Sequence, residues 1–133
     1  MTFPKRTNLL LCLKLEDHLA EALTFSIYFD ILGIMKSRDA VRALGALAQE
    51  SRLEIFRLLV RRGPTGLAAG QLSDRLGIPP ATMSFHLKEL SSVGLIASRR
   101  DSRSIIYSAN YEQMQFLINF LLENCCIDNG GKC

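Results

Sequence analysis

No cysteine lies between Cys12 and Cys125, and the remaining three, Cys125, Cys126 and Cys133, fall at the very end of the chain. A disulfide-stapled secreted domain would spread its cysteines, so this pattern argues for thiols kept reduced in a cytoplasm. Long apolar runs are missing too. The early one, Leu9-Leu10-Leu11-Cys12-Leu13, is broken by Lys14 and by Glu16-Asp17-His18. It is too short for the core of an export signal and far too short to span a bilayer. The chain has no phosphate-cradling glycine loop, no cofactor fingerprint, and no histidine or acid set in sequence to activate a thiol. Nothing therefore speaks for an enzyme. A length of 133 residues suits one compact domain and leaves no room for a separate catalytic one.

The charge that is present is unevenly placed. The net charge is only +3. Between Arg57 and Arg103, however, eight basic residues (Arg57, Arg61, Arg62, Arg75, Lys88, Arg99, Arg100, Arg103) face three acids, Asp74, Glu89 and Asp101. A local excess of this kind is the electrostatic footprint of a polyanionic partner.

Residues 1–34 differ in character from the rest and form an N-terminal extension of uncertain order. Either residues 9–32 make one apolar helix that packs on the domain or on a partner, or Met35 is the physiological start. From Ser37 the helical signals sharpen. Val41, Leu44, Leu47 and Ala48 recur at helical spacing, and a second helix from Ser51 carries Leu53, Phe56, Leu59 and Val60 as its apolar stripe. Gly63-Pro64-Thr65-Gly66 stops it. A short helix over residues 67–76 is expected to bury Leu72 and Leu76 and to end at Gly77. Proline at position 80 then opens a fourth helix, where its missing N–H costs nothing. Met83, Leu87 and Leu90 face inward there and leave Thr82, Ser84, Phe85 and Lys88 outside. Two β-prone runs, residues 95–98 and 104–108, flank the polar tip Arg99-Arg100-Asp101-Ser102-Arg103 and read as a hairpin. The last helix, residues 111–124, is apolar on more than one face, and its surplus face calls for a second subunit.

Two short helices joined by Gly77-Ile78-Pro79 and followed by a basic hairpin are the parts of a winged helix-turn-helix. The fold class is therefore mainly α with a small β-hairpin. Residues 35–124 are the DNA-binding and dimerisation domain, and residues 125–133 a cysteine-bearing tail. Thr82 and Ser84 are small enough to approach base edges. His86 and Lys88 add donors for phosphates or guanine, and Gln71 and Phe85 complete the candidate face. Arg99, Arg100 and Arg103 at the hairpin tip would straddle the backbone or enter the minor groove. Each has a plainer reading: Thr82 and Ser84 as surface, His86 as half-buried and locally satisfied, the arginines as a solvated turn.

The run Ala46-Leu47-Ala48-Gln49-Glu50-Ser51-Arg52-Leu53-Glu54-Ile55-Phe56-Arg57-Leu58-Leu59 resembles the opening of the ArsR/SmtB metal-sensing repressors. So do Ala81-Thr82-Met83-Ser84-Phe85-His86-Leu87-Lys88-Glu89-Leu90 and the following Gly94-Leu95-Ile96 with its wing. The resemblance covers about residues 37–124. It implies a homodimeric repressor, paired through its first and last helices, on double-stranded operator DNA, with the helix holding Ser84 and His86 as the recognition helix.

The departures from the family pattern bear on the signal. Founding arsenic sensors carry a Cys-x-Cys pair in the helix before the recognition helix, and residues 68–74 here contain no cysteine. Zinc sensors use histidine on the last helix, and residues 111–124 contain none. What remains is Cys125-Cys126 and, beyond the permissive turn Asn129-Gly130-Gly131, Cys133. Three thiolates without a nitrogen ligand suit a soft trigonal centre, As(III) or Sb(III), better than tetrahedral zinc. The arrangement resembles a family variant with its arsenite site at the end of the last helix. A thiol-based redox or persulfide sensor of the same fold is the alternative, and an incidental tail the third reading. Cys12 is not expected to be a ligand.

Overall fold

The computed structural model describes residues 35–131. The expected helix over residues 9–32, Cys12 and Cys133 lie outside the described residues.

Helix α1, Ser37–Leu47, buries Ala40, Ala43 and Ala46, a small-residue stripe at three-residue spacing. Val41 and Leu44, which carry the larger apolar surface, point outward at 67% and 41% exposure. Helix α2, Glu50–Arg62, starts two residues after α1 ends. The Gln49 side chain caps it by accepting from the Arg52 N–H at 2.9 Å. Arg52 in turn donates through its guanidinium to the carbonyls of Ala46 and Gly45, capping the C-terminus of α1. The inward stripe of α2 is Ile55, Phe56 and Leu59. Leu53 and Val60, placed on that stripe by sequence spacing, are 43% and 40% exposed.

The expected helix from residue 67 begins instead with a two-residue strand, β1, Leu67–Ala68, and α3 follows as Ala69–Leu76. Gly77 ends α3 in the left-handed conformation, φ 64°. Helix α4, Pro80–Ser92, opens on its proline and buries Met83, His86, Leu87 and Leu90. Strands β2, Ile96–Asp101, and β3, Ser104–Ala109, pair antiparallel from Ile96–Ala109 to Asp101–Ser104. The sheet has three strands in the order β1-β3-β2, because Leu67 and Ala68 pair with Tyr107 and Ile106.

Helix α5, Tyr111–Leu121, is tied to the wing by its cap. Asn110 accepts from the Gln113 N–H at 3.2 Å and donates from Nδ2 to the Gly94 carbonyl at 2.9 Å. Replacing Asn110 by alanine removes both bonds, and a cap of this kind contributes about 1–2 kcal/mol. Urea unfolding of Asn110→Ala should show that loss; an unchanged midpoint would mean that the cap bears no weight. The largest fully buried side chains are Ile55, Leu59, Leu67, Leu72, Met83, Leu87, Leu90, Leu95 and Leu117, and α1 adds the smaller Ala40, Ala43 and Ala46 to the core. The fold is a winged helix-turn-helix.

Candidate nucleic-acid interface and cysteine tail

Helix α4 buries one side and presents the other. With 100° between residues, the buried Met83, His86, Leu87 and Leu90 define one face, and Ala81, Phe85, Lys88 and Ser92 lie on the opposite one, all exposed. Thr82 and Ser84 flank that outward face and are exposed as well. Ala81 was not singled out from sequence; its spacing of four from Phe85 is the signal that would have found it.

His86, expected to offer a donor to DNA, instead belongs to the inner face at 7% exposure. Its Nδ1 and the Ser73 Oγ of α3 are buried atoms without a hydrogen-bond partner. The His86 imidazole packs against the Phe85 ring, centroids 5.8 Å apart and planes inclined at 60°. Gln71 lies exposed in the first turn of α3, where its Oε1 accepts from the Ala68 N–H at 3.0 Å. Part of its hydrogen-bonding capacity therefore caps α3.

The wing arginines do not sit together in a turn. Arg99 and Arg100 lie within β2, where successive side chains point to opposite faces, and only Ser102-Arg103 forms the tip, with φ 55° at Ser102. Arg99 donates to the carbonyls of Pro64 and Thr65 at 3.3 and 3.0 Å. It thus straps the wing to the loop leaving α2, which Arg62 also holds through the Gly66 carbonyl at 3.4 Å. Arg100, Arg103 and Lys88 are exposed.

The last helix ends three residues earlier than its apolar pattern suggests. Asn124 and Cys126 both take φ 60°, and a left-handed residue breaks the helical ladder. The chain then curls back on itself. The Cys126 carbonyl accepts from the N–H groups of Asn129 and Gly131 at 3.0 and 2.9 Å. Residue 131, two short of Cys133, is thereby held against Cys126. The Cys125 and Cys126 sulfurs stand 3.3 Å apart. Cys125 is exposed and keeps its thiol, whereas Cys126 is disulfide-bonded. Among the described residues no group of three His, Cys, Asp or Glu side chains is gathered as a metal site. Among them, too, no helix is long and apolar enough to cross a membrane.

A helix-turn-helix with a basic wing defines a DNA-binding transcription regulator. Residues 47–99 match the family model of a helix-turn-helix domain. The chain is 34% identical over 99 residues to YceK of Bacillus subtilis (strain 168), an uncharacterised HTH-type transcriptional regulator, covering 73% of this chain and 98% of that one. It is 31% identical over 93 residues to HlyU of Vibrio cholerae, a transcriptional activator, covering 70% and 83%. The structure of reduced HlyU superposes with a TM-score of 0.52 over 66% of this chain and 88% of that one, at 31% identity. An ArsR-like transcriptional regulator from Rhodococcus sp. RHA1 superposes with a TM-score of 0.60 at 26% identity, covering 70% and 84%. The chain belongs to the ArsR family of winged-helix transcriptional regulators, a family of DNA-binding proteins and not of enzymes.

Proposed function

We propose that the protein is a homodimeric cytoplasmic repressor that holds operator DNA through α4 and the wing and leaves it when As(III) or Sb(III) binds Cys125, Cys126 and Cys133. The dimer is supported by the apolar side chains that α1 and α5 leave uncovered, Val41, Leu44, Ile118, Leu121 and Leu122. These two helices pack on one another, so the exposed groups share one end of the domain. DNA contact is supported by Thr82, Ser84, Phe85 and Lys88 on the open face of α4, with Arg100 and Arg103 on the wing.

The observation that carries the metalloid reading is the 3.3 Å between the two cysteine sulfurs. With metal–sulfur bonds of about 2.3 Å, that separation closes an S–M–S angle of roughly 90°. Such an angle lets one soft trivalent ion take both sulfurs. The back-curl that holds Gly131 against Cys126 supports counting Cys133, two residues further along the sequence, as the third ligand. Only reduced sulfur binds, so the Cys126 disulfide must open first.

That disulfide supports a second reading, a redox or persulfide sensor of the same fold, in which oxidation at Cys126 is itself the signal.

One titration separates the two. Fluorescence anisotropy of a labelled duplex from the gene's own upstream region should rise with protein and weaken steeply with salt, because phosphate contacts release counterions. Arsenite added to the reduced complex should then collapse the signal, and excess competing dithiol should restore it. Release by a polysulfide or a disulfide oxidant, with arsenite inert, would transfer the function to redox sensing.

A further inference from the structure

Resting on the reading of α4 as the DNA-facing helix, we infer that Phe85 is a specificity residue that reads the 5-methyl group of a thymine at a fixed position in each half-site. Phe85 is 54% exposed and stands with its phenyl ring open on the outward face of α4. Its surroundings are not those of a subunit contact. The uncovered apolar groups of α1 and α5 lie among one another, whereas Phe85 lies among Thr82, Ser84 and Lys88. A polar, basic face with an aromatic at its centre matches the major groove, where the thymine methyl is the apolar mark among hydrogen-bonding edges.

The ring is also held in place. The buried His86 imidazole lies 5.8 Å from its centroid, inclined at 60°, within the range of a favourable aromatic contact. Ala81, one turn earlier, and Thr82, which carries a methyl of its own, continue the apolar strip towards the N-terminus of α4. That is the end of a recognition helix that approaches base edges. Four residues of helix rise about 6 Å, close to two base-pair steps at about 3.4 Å each. The strip therefore covers the methyl and the neighbouring base edge without needing the whole helix in the groove.

The test uses the full-length protein and duplexes it enriches from a randomised pool. The enriched duplex is resynthesised with each thymidine in turn replaced by deoxyuridine in both half-sites, which removes only the methyl. Loss of one methyl contact is about fourfold in affinity, and of the symmetric pair about fifteenfold. At one position the wild type should lose that factor. Phe85→Ala should bind the parent duplex more weakly by a similar factor and be indifferent to uridine there, while Phe85→Leu should retain part of the sensitivity. Indifference of the wild type at every thymidine, or unchanged uridine sensitivity in Phe85→Ala, would overturn the assignment. Retention of no duplex at all would instead remove the DNA-facing reading of α4 on which it stands.

Discussion

Serine at position 125 or at position 126 is expected to leave operator affinity within about twofold of the wild type while abolishing release by arsenite. Both sulfurs lie beyond the end of α5 and outside the helix-turn-helix, so neither exchange removes a core contact. Even ligand-supporting groups cost 10–100-fold in metal affinity when lost. Removing one of three thiolates should therefore weaken As(III) by at least about a hundredfold. The pair is informative because the two sulfurs stand 3.3 Å apart: if one ion bridges them, either exchange should have the same large effect. The reading out would be anisotropy of the DNA complex against arsenite, in the presence of reductant. Release of both variants at the wild-type arsenite concentration would remove Cys125 and Cys126 from the site. A phenotype in Cys126→Ser alone, seen with oxidants and not with arsenite, would favour redox sensing.

The second large effect concerns folding. Gly66 has φ +65°, and a Cβ built there would overlap the Tyr107 carbonyl oxygen and crowd the Ile106 side chain at 2.8 Å. The left-handed conformation alone costs a non-glycine residue about 1–2 kcal/mol, and forced displacement of packed neighbours adds roughly 1–3 kcal/mol. Gly66→Ala should thus lose about 2–5 kcal/mol, lowering Tm by more than roughly 10 °C in a domain of this size. Gly45 is the internal control: it lies inside α1 with nothing within 4 Å of a built Cβ. There alanine removes only a helix-weakening residue, so Tm should hold or rise. Wild-type melting of Gly66→Ala would contradict the pairing of β1 with β3.

That pairing also marks where the sequence stops being readable. The helix-turn-helix was legible because its punctuation is local: Gly77 takes the left-handed turn and Pro80 opens α4, each for a backbone reason carried by the residue itself. β1 was not legible. Two residues have no period, and Leu67-Ala68 is a strand only because Tyr107 and Ile106 arrive from far along the chain. The first helix was read as amphipathic, but not for the side that packs inward. Val41 and Leu44 dominate by size, yet Ala40, Ala43 and Ala46 are buried, since small side chains let the backbone of α1 approach its neighbours.

The candidate site divides in the same way. Thr82, Ser84, Phe85 and Lys88 lie on the open face that helical spacing assigns them. His86 sits one step round the helix and faces inward, and Arg99 is drawn to Pro64 and Thr65 by a loop whose path no local pattern reveals.

The joint between α1 and α2 has a mechanical consequence. Only Ala48 and Gln49 separate the two helices, Gln49 caps the second, and the Arg52 guanidinium grips the end of the first. Helix α4 packs on both. A corner so braced has little play with which to absorb a displacement. Torque applied to α1 would swing α4 as one solid arm, so a small tilt at the apolar end of the domain would be delivered as travel at the far tip of the lever.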